Sequence, residues 1–283
     1  MAEEVSQRRK IMGIFFKNRT AIIGAIITLI IILMAIFAPW ISPHDPLEQD
    51  VYHRLTPPEH SHPLGTDMYG RGVFSRVLRG MQISLLVGIL SVLGGMIIGA
   101  GVGMVGAYKG GKVEAILMRA IDILMSFPDE VLGIMIMIVL GSGLFNVILT
   151  ITILMIPRFA RLAHAPTLAV KEEDYITATI SVGANDLRTI ARHVLPNIFG
   201  EILVMSTLWL GTAIRVEASL SFLGMGVAPP TPTLGGMIRD GVDYLGYAPW
   251  VSLFPGLAIL IIVFAFNMIG DGLRDITDPK LYT

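Results

Sequence analysis

Lys171-Glu-Glu-Asp-Tyr-Ile-Thr-Ala-Thr-Ile-Ser-Val-Gly-Ala-Asn-Asp-Leu-Arg-Thr-Ile-Ala-Arg-His-Val-Leu-Pro196 is the most sustained charged stretch in a chain otherwise dominated by apolar runs. Its spacing predicts two short helices. Tyr175, Ile176 and Ile180 share one face of the first, and Gly183 is a natural left-handed stop. Asn185 or Asp186 can cap a second helix carrying Leu187, Ile190, Ala191 and Val194 at helical spacing, which Pro196 is expected to close. A narrow apolar stripe held in water reads as a docking surface.

The surroundings of this stretch place it in a membrane protein. The 283 residues are 53% hydrophobic and 15% charged, with a mean hydropathy of +0.70, well outside soluble composition. A net charge of -1 offers no basic excess, which argues against a nucleic-acid partner. With no cysteine, disulfides, zinc-thiolate sites, iron-sulfur clusters and thiol nucleophiles are excluded.

A helix crossing the hydrocarbon needs about 20 mostly apolar residues. Segments 21–38, 83–107, 123–141, 144–163, 198–223 and 250–270 meet that demand, so the expected fold is all-α with six transmembrane helices. The first run is too long for a signal peptide and is read as an uncleaved span. Arg8, Arg9, Lys10 and Lys17 precede it, and Lys109, Lys112, Arg119, Arg158, Arg161 and Lys171 cluster around later turns. The distribution places both termini and the opening stretch in the cytoplasm. The expected organisation is a basic segment 1–20, a first helix with its external loop over 21–80, a five-helix core over 81–275 containing a cytoplasmic loop 164–196, and a tail 276–283. The external segment 39–79, rich in Pro, His and acidic residues, reads as an irregular solvated loop. His60 and His62 beside Glu59 read as polar surface, so no metal site is assigned.

Within the spans, Gly95, Gly99 and Gly103 form the small-xxx-small pattern of close helix packing. Gly101-x-Gly103-x-x-Gly106 imitates a dinucleotide fingerprint, and the run Gly106 to Lys112 imitates a phosphate loop. Neither follows a strand, and Val113 stands where magnesium binding needs Ser or Thr, so the chain itself is read as binding no ATP. Arg119 and Asp122, three apart, are expected to neutralise each other. Pro128 reads as a kink after an interfacial helix, with a hinge at the mouth of a pore as the functional alternative. Arg215 and Glu217 are costly within a span and, being two apart, cannot pair along one face. They are candidates for a pathway or a buried interface.

The opening stretch resembles the cytoplasmic loop of permease subunits of binding-protein-dependent ABC importers, whose pattern is E-A-A, three residues, G, nine residues, I-x-L-P. Here it runs Thr177-Ala178-Thr179, Gly183, His193-Val194-Leu195-Pro196, with Thr177, Thr179 and His193 as departures. His62-Pro-Leu-Gly-Thr-Asp67, Glu217-Ala-Ser-Leu-Ser-Phe-Leu-Gly224 and Phe266-Asn-Met-Ile-Gly-Asp-Gly-Leu-Arg-Asp275 resemble the C-type subunit of the dipeptide/oligopeptide/nickel branch. The resemblance implies a MetI-like ABC importer permease fold in a bacterial or archaeal plasma membrane. It also implies a homologous B-type permease, two cytoplasmic ATPases carrying ATP and magnesium, and an extracytoplasmic substrate-binding protein. Tyr175, Ile176, Thr177, Ala178, Thr179, Ile180, Gly183, Asp186, Leu187, Leu195 and Pro196 are then the expected ATPase-coupling residues, and no catalytic residue or bound cofactor is expected. The implied cargo is a di- or oligopeptide, with glutathione and nickel or metal chelates as alternatives. An ion-coupled transporter acting alone would place coupling carboxylates at mid-membrane and need no docking loop. An intramembrane hydrolase finds no HExxH or Gly-x-Ser-x-Gly motif to support it.

Overall fold

The computed structural model describes residues 19–277; the basic residues Arg8, Arg9, Lys10 and Lys17 and the segment 278–283 lie outside them. Five long apolar helices dominate: α1 (Arg19–Ile36), α2 (Val73–Lys109), α5 (Leu144–Lys171), α8 (Leu195–Phe222) and α10 (Trp250–Thr277). Between α2 and α5 lie α3 (Gly111–Met125) and α4 (Asp129–Leu140), and between α5 and α8 lie α6 (Asp174–Ser181) and α7 (Asp186–Thr189). A short α9 (Leu234–Gly241) precedes α10. Among the described residues the only β pairing is an isolated bridge between Thr66 and Gly72.

The glycine stripe sets the central contact. A Cβ on Gly95 would lie 2.4 Å from Met155 Cβ, and one on Gly99 or Gly103 would lie 2.4 or 2.2 Å from the carbonyl oxygens of Ile156 or Ala160. Only hydrogen fits there, so α2 and α5 meet backbone to backbone. Gly101 has open space around it, so the dinucleotide-like spacing is a by-product of the packing face.

These contacts advance together along both helices, so α2 and α5 run parallel. The chain between them must therefore return across the bilayer, and α3 with α4 is what it has to do so. The two are bent by 94° at their break. The expected single span 123–141 is thus a broken crossing: α4 alone is about 18 Å long, short of a hydrocarbon core of about 30 Å. Pro128 directly precedes α4. Its ring blocks the helix from continuing through the break.

Other boundaries also differ from expectation. Helix α2 starts at Val73, so Arg76 and Arg79 lie on a helix rather than in an irregular loop. The external segment is folded rather than simply solvated, since Thr66, Asp67, Arg71 and Arg76 are buried and Trp250 Nε1 donates to Thr66 O at 3.1 Å. Helix α5 passes through Pro157 and Pro166 to Lys171, so the loop begins later than residue 164.

Two apolar clusters divide the interior. One joins α2, α4 and α5 to α6, to residues 190–194 and to α8 through Met104, Met137, Phe159, Ile176, Val194 and Val216, with Phe159 and Trp209 edge to face at 4.5 Å. The other joins α1, α2, α8, α9 and α10 through Ile31, Val77, Ile214, Leu234 and Phe266. Residues 172–194 therefore occupy one end of the bundle, and the loops 42–72 and 223–249 occupy the other.

Candidate functional site

The opening stretch forms a tight two-helix turn. Gly183 takes φ +85°, the left-handed region in which a Cβ is costly. Asn185 Oδ1 then accepts from Arg188 N at 2.9 Å and starts α7. Pro196 does not close this second helix. The chain runs from α7 through one π turn, Ile190–Val194, into α8, and Pro196 occupies the first turn of α8. A proline cannot donate to the carbonyl four residues back, and the wider turn just before it absorbs that loss without ending the helix.

This continuity makes the turn a rigid extension of α8. Tyr175 Oη accepts from Asn197 Nδ2 at 3.1 Å, which ties α6 to α8. Lys109 Nζ stands 3.4 Å from Asp186 Oδ2 and links the end of α2 to α7.

The expected apolar face divides in two. Ile176 is fully buried, beside Val194 and Ile198 in the first cluster, so it anchors the turn and is not available for docking. Ile180 and Leu187 are 50% and 77% exposed, and Val182, which the periodicity does not single out, is 85% exposed. Its place next to Gly183, at the apex, is the signal that could have found it. Thr177 and Ala178 are exposed, Thr179 and Leu195 are half-buried, and Asp186 and Pro196 are exposed. Thr179 Oγ1 donates to Tyr175 O at 2.7 Å within its own helix.

Charged pairs hold the broken crossing to its neighbours. Arg158 pairs with Asp129 and Arg161 with Asp122, while His164 Nε2 lies 2.8 Å from Glu114 Oε1. Asp122 is thus satisfied from α5 and not by Arg119 on its own helix. Arg158, Arg161 and His164 repeat every three residues on one face of α5, a spacing legible in the sequence but without visible partners there.

Arg215 and Glu217 part company. Arg215 Nη1 donates to Glu130 Oε1 at 2.8 Å, with the two side chains 54% and 40% exposed. Glu217 is fully buried; its Oε2 accepts from Ser84 Oγ at 2.7 Å and its Oε1 from Ser221 Oγ at 2.7 Å. The two are not a buried pair, and loss of Glu217 would not strand a buried Arg215.

Near the opposite end His53 Nδ1 lies 2.7 Å from Asp50 Oδ2, and His44 stacks on His62 at 4.8 Å. Among the described residues no group of three His or acidic side chains is placed to hold a metal ion.

A parallel α2–α5 core, a broken crossing and a terminal turn with exposed apolar side chains make this a multi-span helical membrane protein with a surface free to dock a partner. The chain belongs to the family of binding-protein-dependent transport system inner membrane components, which it matches over residues 81–282. Residues 6–58 match the N-terminal transmembrane domain of oligopeptide transport permease C. It is 41% identical over 265 residues to the dipeptide transport system permease protein DppC of Alkalihalophilus pseudofirmus, covering 94% of this chain and 87% of that one. It is 42% identical over 268 residues to the glutathione transport system permease protein GsiD of Pectobacterium atrosepticum, covering 94% and 89%. An inward-facing structure of the MetNI methionine ABC transporter shares the fold, with a TM-score of 0.60 at 21% identity over 72% of this chain and 98% of that one.

Proposed function

We propose that this chain forms half of the translocation path of an ATP-driven importer of small peptides and couples that path to a cytoplasmic ATPase. The observation that carries the coupling is the set of exposed side chains Ile180, Val182 and Leu187 on a turn continuous with α8. An apolar apex in water has no stabilising role in the isolated subunit, and a partner groove would cover it. In this reading the end bearing residues 172–194 is cytoplasmic, together with both termini.

Closure of two ATPases on ATP and magnesium displaces the turns of this chain and of a homologous B-type permease. The rigid link passes that displacement to α5 and α8. Differential ATP binding between the two conformations supplies the free energy, so the chain needs no catalytic residue and no cofactor of its own. An extracytoplasmic binding protein delivers the solute to the opposite end. The charged pairs flanking Pro128 allow α3 and α4 to move with α5, and the exposed Arg215–Glu130 pair is the candidate contact with the pathway. Peptide cargo is supported by the similarity to a dipeptide permease, and glutathione, itself a small peptide, by the similarity to a glutathione permease.

Reconstitution tests this. Vesicles carrying the complete importer should take up a labelled dipeptide only with ATP and the ATPases present. Uptake by this chain alone, driven by an ion gradient, would overturn the reading.

A further inference from the structure

The end of the bundle opposite the two-helix turn holds a cavity of about 410 Å³, lined in part by Tyr69, Arg71, Arg76, Ser221, Arg239 and Asp240. Its volume lies within the range of small-ligand sites, roughly 300 to 1,000 Å³. Its charges do not balance. Arg71 Nε donates to Asp67 Oδ2 at 2.7 Å, and Arg76 Nε stands 3.3 Å from the same oxygen. Asp67 Oδ1 is already engaged by Tyr69 N at 2.8 Å and Arg71 N at 3.0 Å. Two guanidiniums therefore share one saturated carboxylate, while Arg239 and Asp240 offset each other at 3.1 Å.

Arg76 is the side chain left short. The residue is 4% exposed. Its Nη1 donates to Pro46 O at 3.1 Å, and its Nε is closed in against Asp67 without a hydrogen bond among the described residues, so only the remaining guanidinium nitrogen can face an occupant. A largely buried guanidinium pair with one charge left uncompensated calls for an anion. Three arginines against two aspartates leave one positive charge, which a monovalent carboxylate neutralises. A phosphate monoester, at about -1.5 to -2 near neutral pH, would overfill it. The recessed position favours a small molecule that enters whole over a protein surface laid across the mouth, since the Arg71 and Arg76 side chains are only 9% and 5% exposed. Ser221 lines the same cavity and donates to Glu217, so its polar wall continues into the membrane-spanning interior.

We infer that this cavity is an entry site that receives the carboxylate of the arriving solute on Arg71 and Arg76 before the path opens. The inference rests on the importer reading above and adds to it a place and a chemical requirement: a free carboxylate on the cargo.

The test uses the complete importer in nanodiscs without its binding protein, so that selection there does not enter. The probe is alanyl-photomethionine, as the free acid and as the C-terminal amide, with labelled positions mapped by mass spectrometry. The free acid should label residues 224–240. Labelling should fall about tenfold for the amide and for Arg76→Gln, consistent with loss of one charge-assisted hydrogen bond, and by less for Arg76→Lys. Equal labelling by acid and amide, or full labelling in Arg76→Gln, would overturn the inference. So would a loss of binding-protein association in Arg76→Gln with labelling intact, which would assign the missing carboxylate to that protein. Wild-type uptake driven by ATP is measured separately in sealed vesicles with the binding protein present: if uptake persists and the cavity does not label, the entry site fails and the importer reading stands, whereas absent uptake removes the reading itself.

Discussion

Glu217 and Ser84, 133 positions apart, are joined by a 2.7 Å hydrogen bond between α8 and α2 in the apolar interior. With Ser221 on its other oxygen, the carboxyl group is satisfied wholly by hydroxyls and makes no ion pair among the described residues. The group fastens the helix that carries the two-helix turn to the helix that carries the glycine stripe.

Glu217→Gln should therefore stay near wild type, because an amide can accept from one hydroxyl and donate to the other. Glu217→Leu strands both hydroxyls and should lower stability by about 1–3 kcal/mol for each buried group left unpaired. Thermal denaturation of the purified complex in detergent separates the two. Equal losses would show that charge, and not hydrogen bonding, holds the site.

The division of the apolar face predicts two different phenotypes. Ile176→Ala removes a fully buried side chain and should destabilise by about 2–5 kcal/mol, reducing the folded yield. Val182→Asp and Leu187→Asp, at exposed positions, should leave stability within about 0.5 kcal/mol and release the ATPases during co-purification. Retention of the ATPases in both aspartate variants would count against docking there.

Exposed pairs contribute little to folding, so Arg215→Gln and Glu130→Gln should each shift stability by less than about 1 kcal/mol. Transport should respond more strongly. The exchanged pair Arg215→Glu with Glu130→Arg should recover part of the uptake lost in either single reversal if the contact itself matters, and uptake assays on all four proteins close the cycle.

The stripe against α5 gives a graded steric prediction. Gly103→Ala places a methyl group 2.2 Å from Ala160 O, forcing the helices apart at a cost of about 1–3 kcal/mol. Gly101→Ala, with open space around it, should not destabilise. A melting-temperature comparison decides the matter, and equal behaviour would remove the close approach as a determinant of the fold.

In the loop 42–72, a hydrogen bond to Asp50 raises the His53 pKa above the ordinary histidine value. The hydrogen bond from His53 and the backbone N–H of Tyr52 lower that of Asp50. For the raised histidine, stabilisation is complete below its unfolded pKa and fades as pH rises through the folded value. For the lowered aspartate it is complete above the unfolded value and fades as pH falls through the folded one. The ionic contact therefore spans the interval between, and both side chains are well exposed, so its effect on overall stability is small. NMR titration of labelled histidine should show His53 titrating high in the wild type and near the ordinary value in Asp50→Asn.

Composition and apolar run length determined that this chain is helical and crosses a membrane, because about 20 apolar residues have no other stable home. Local chemistry also set the turn: Gly183 and Asn185 do what their backbone preferences dictate, and the spacing of Gly95, Gly99 and Gly103 marked a packing face. These are short-range properties, in which residue type and separation are the whole cause.

Tertiary structure alone decided which partner each polar group meets. Asp122 turns to Arg161 and not to Arg119, Arg215 to Glu130, and Glu217 to two serines, because only the parallel packing of α2 on α5 and the 94° break before α4 bring those groups together. The same packing took Ile176 out of the exposed stripe and left Val182 at the apex. Periodicity defines a face, but which part of that face is covered depends on neighbours far away in the chain.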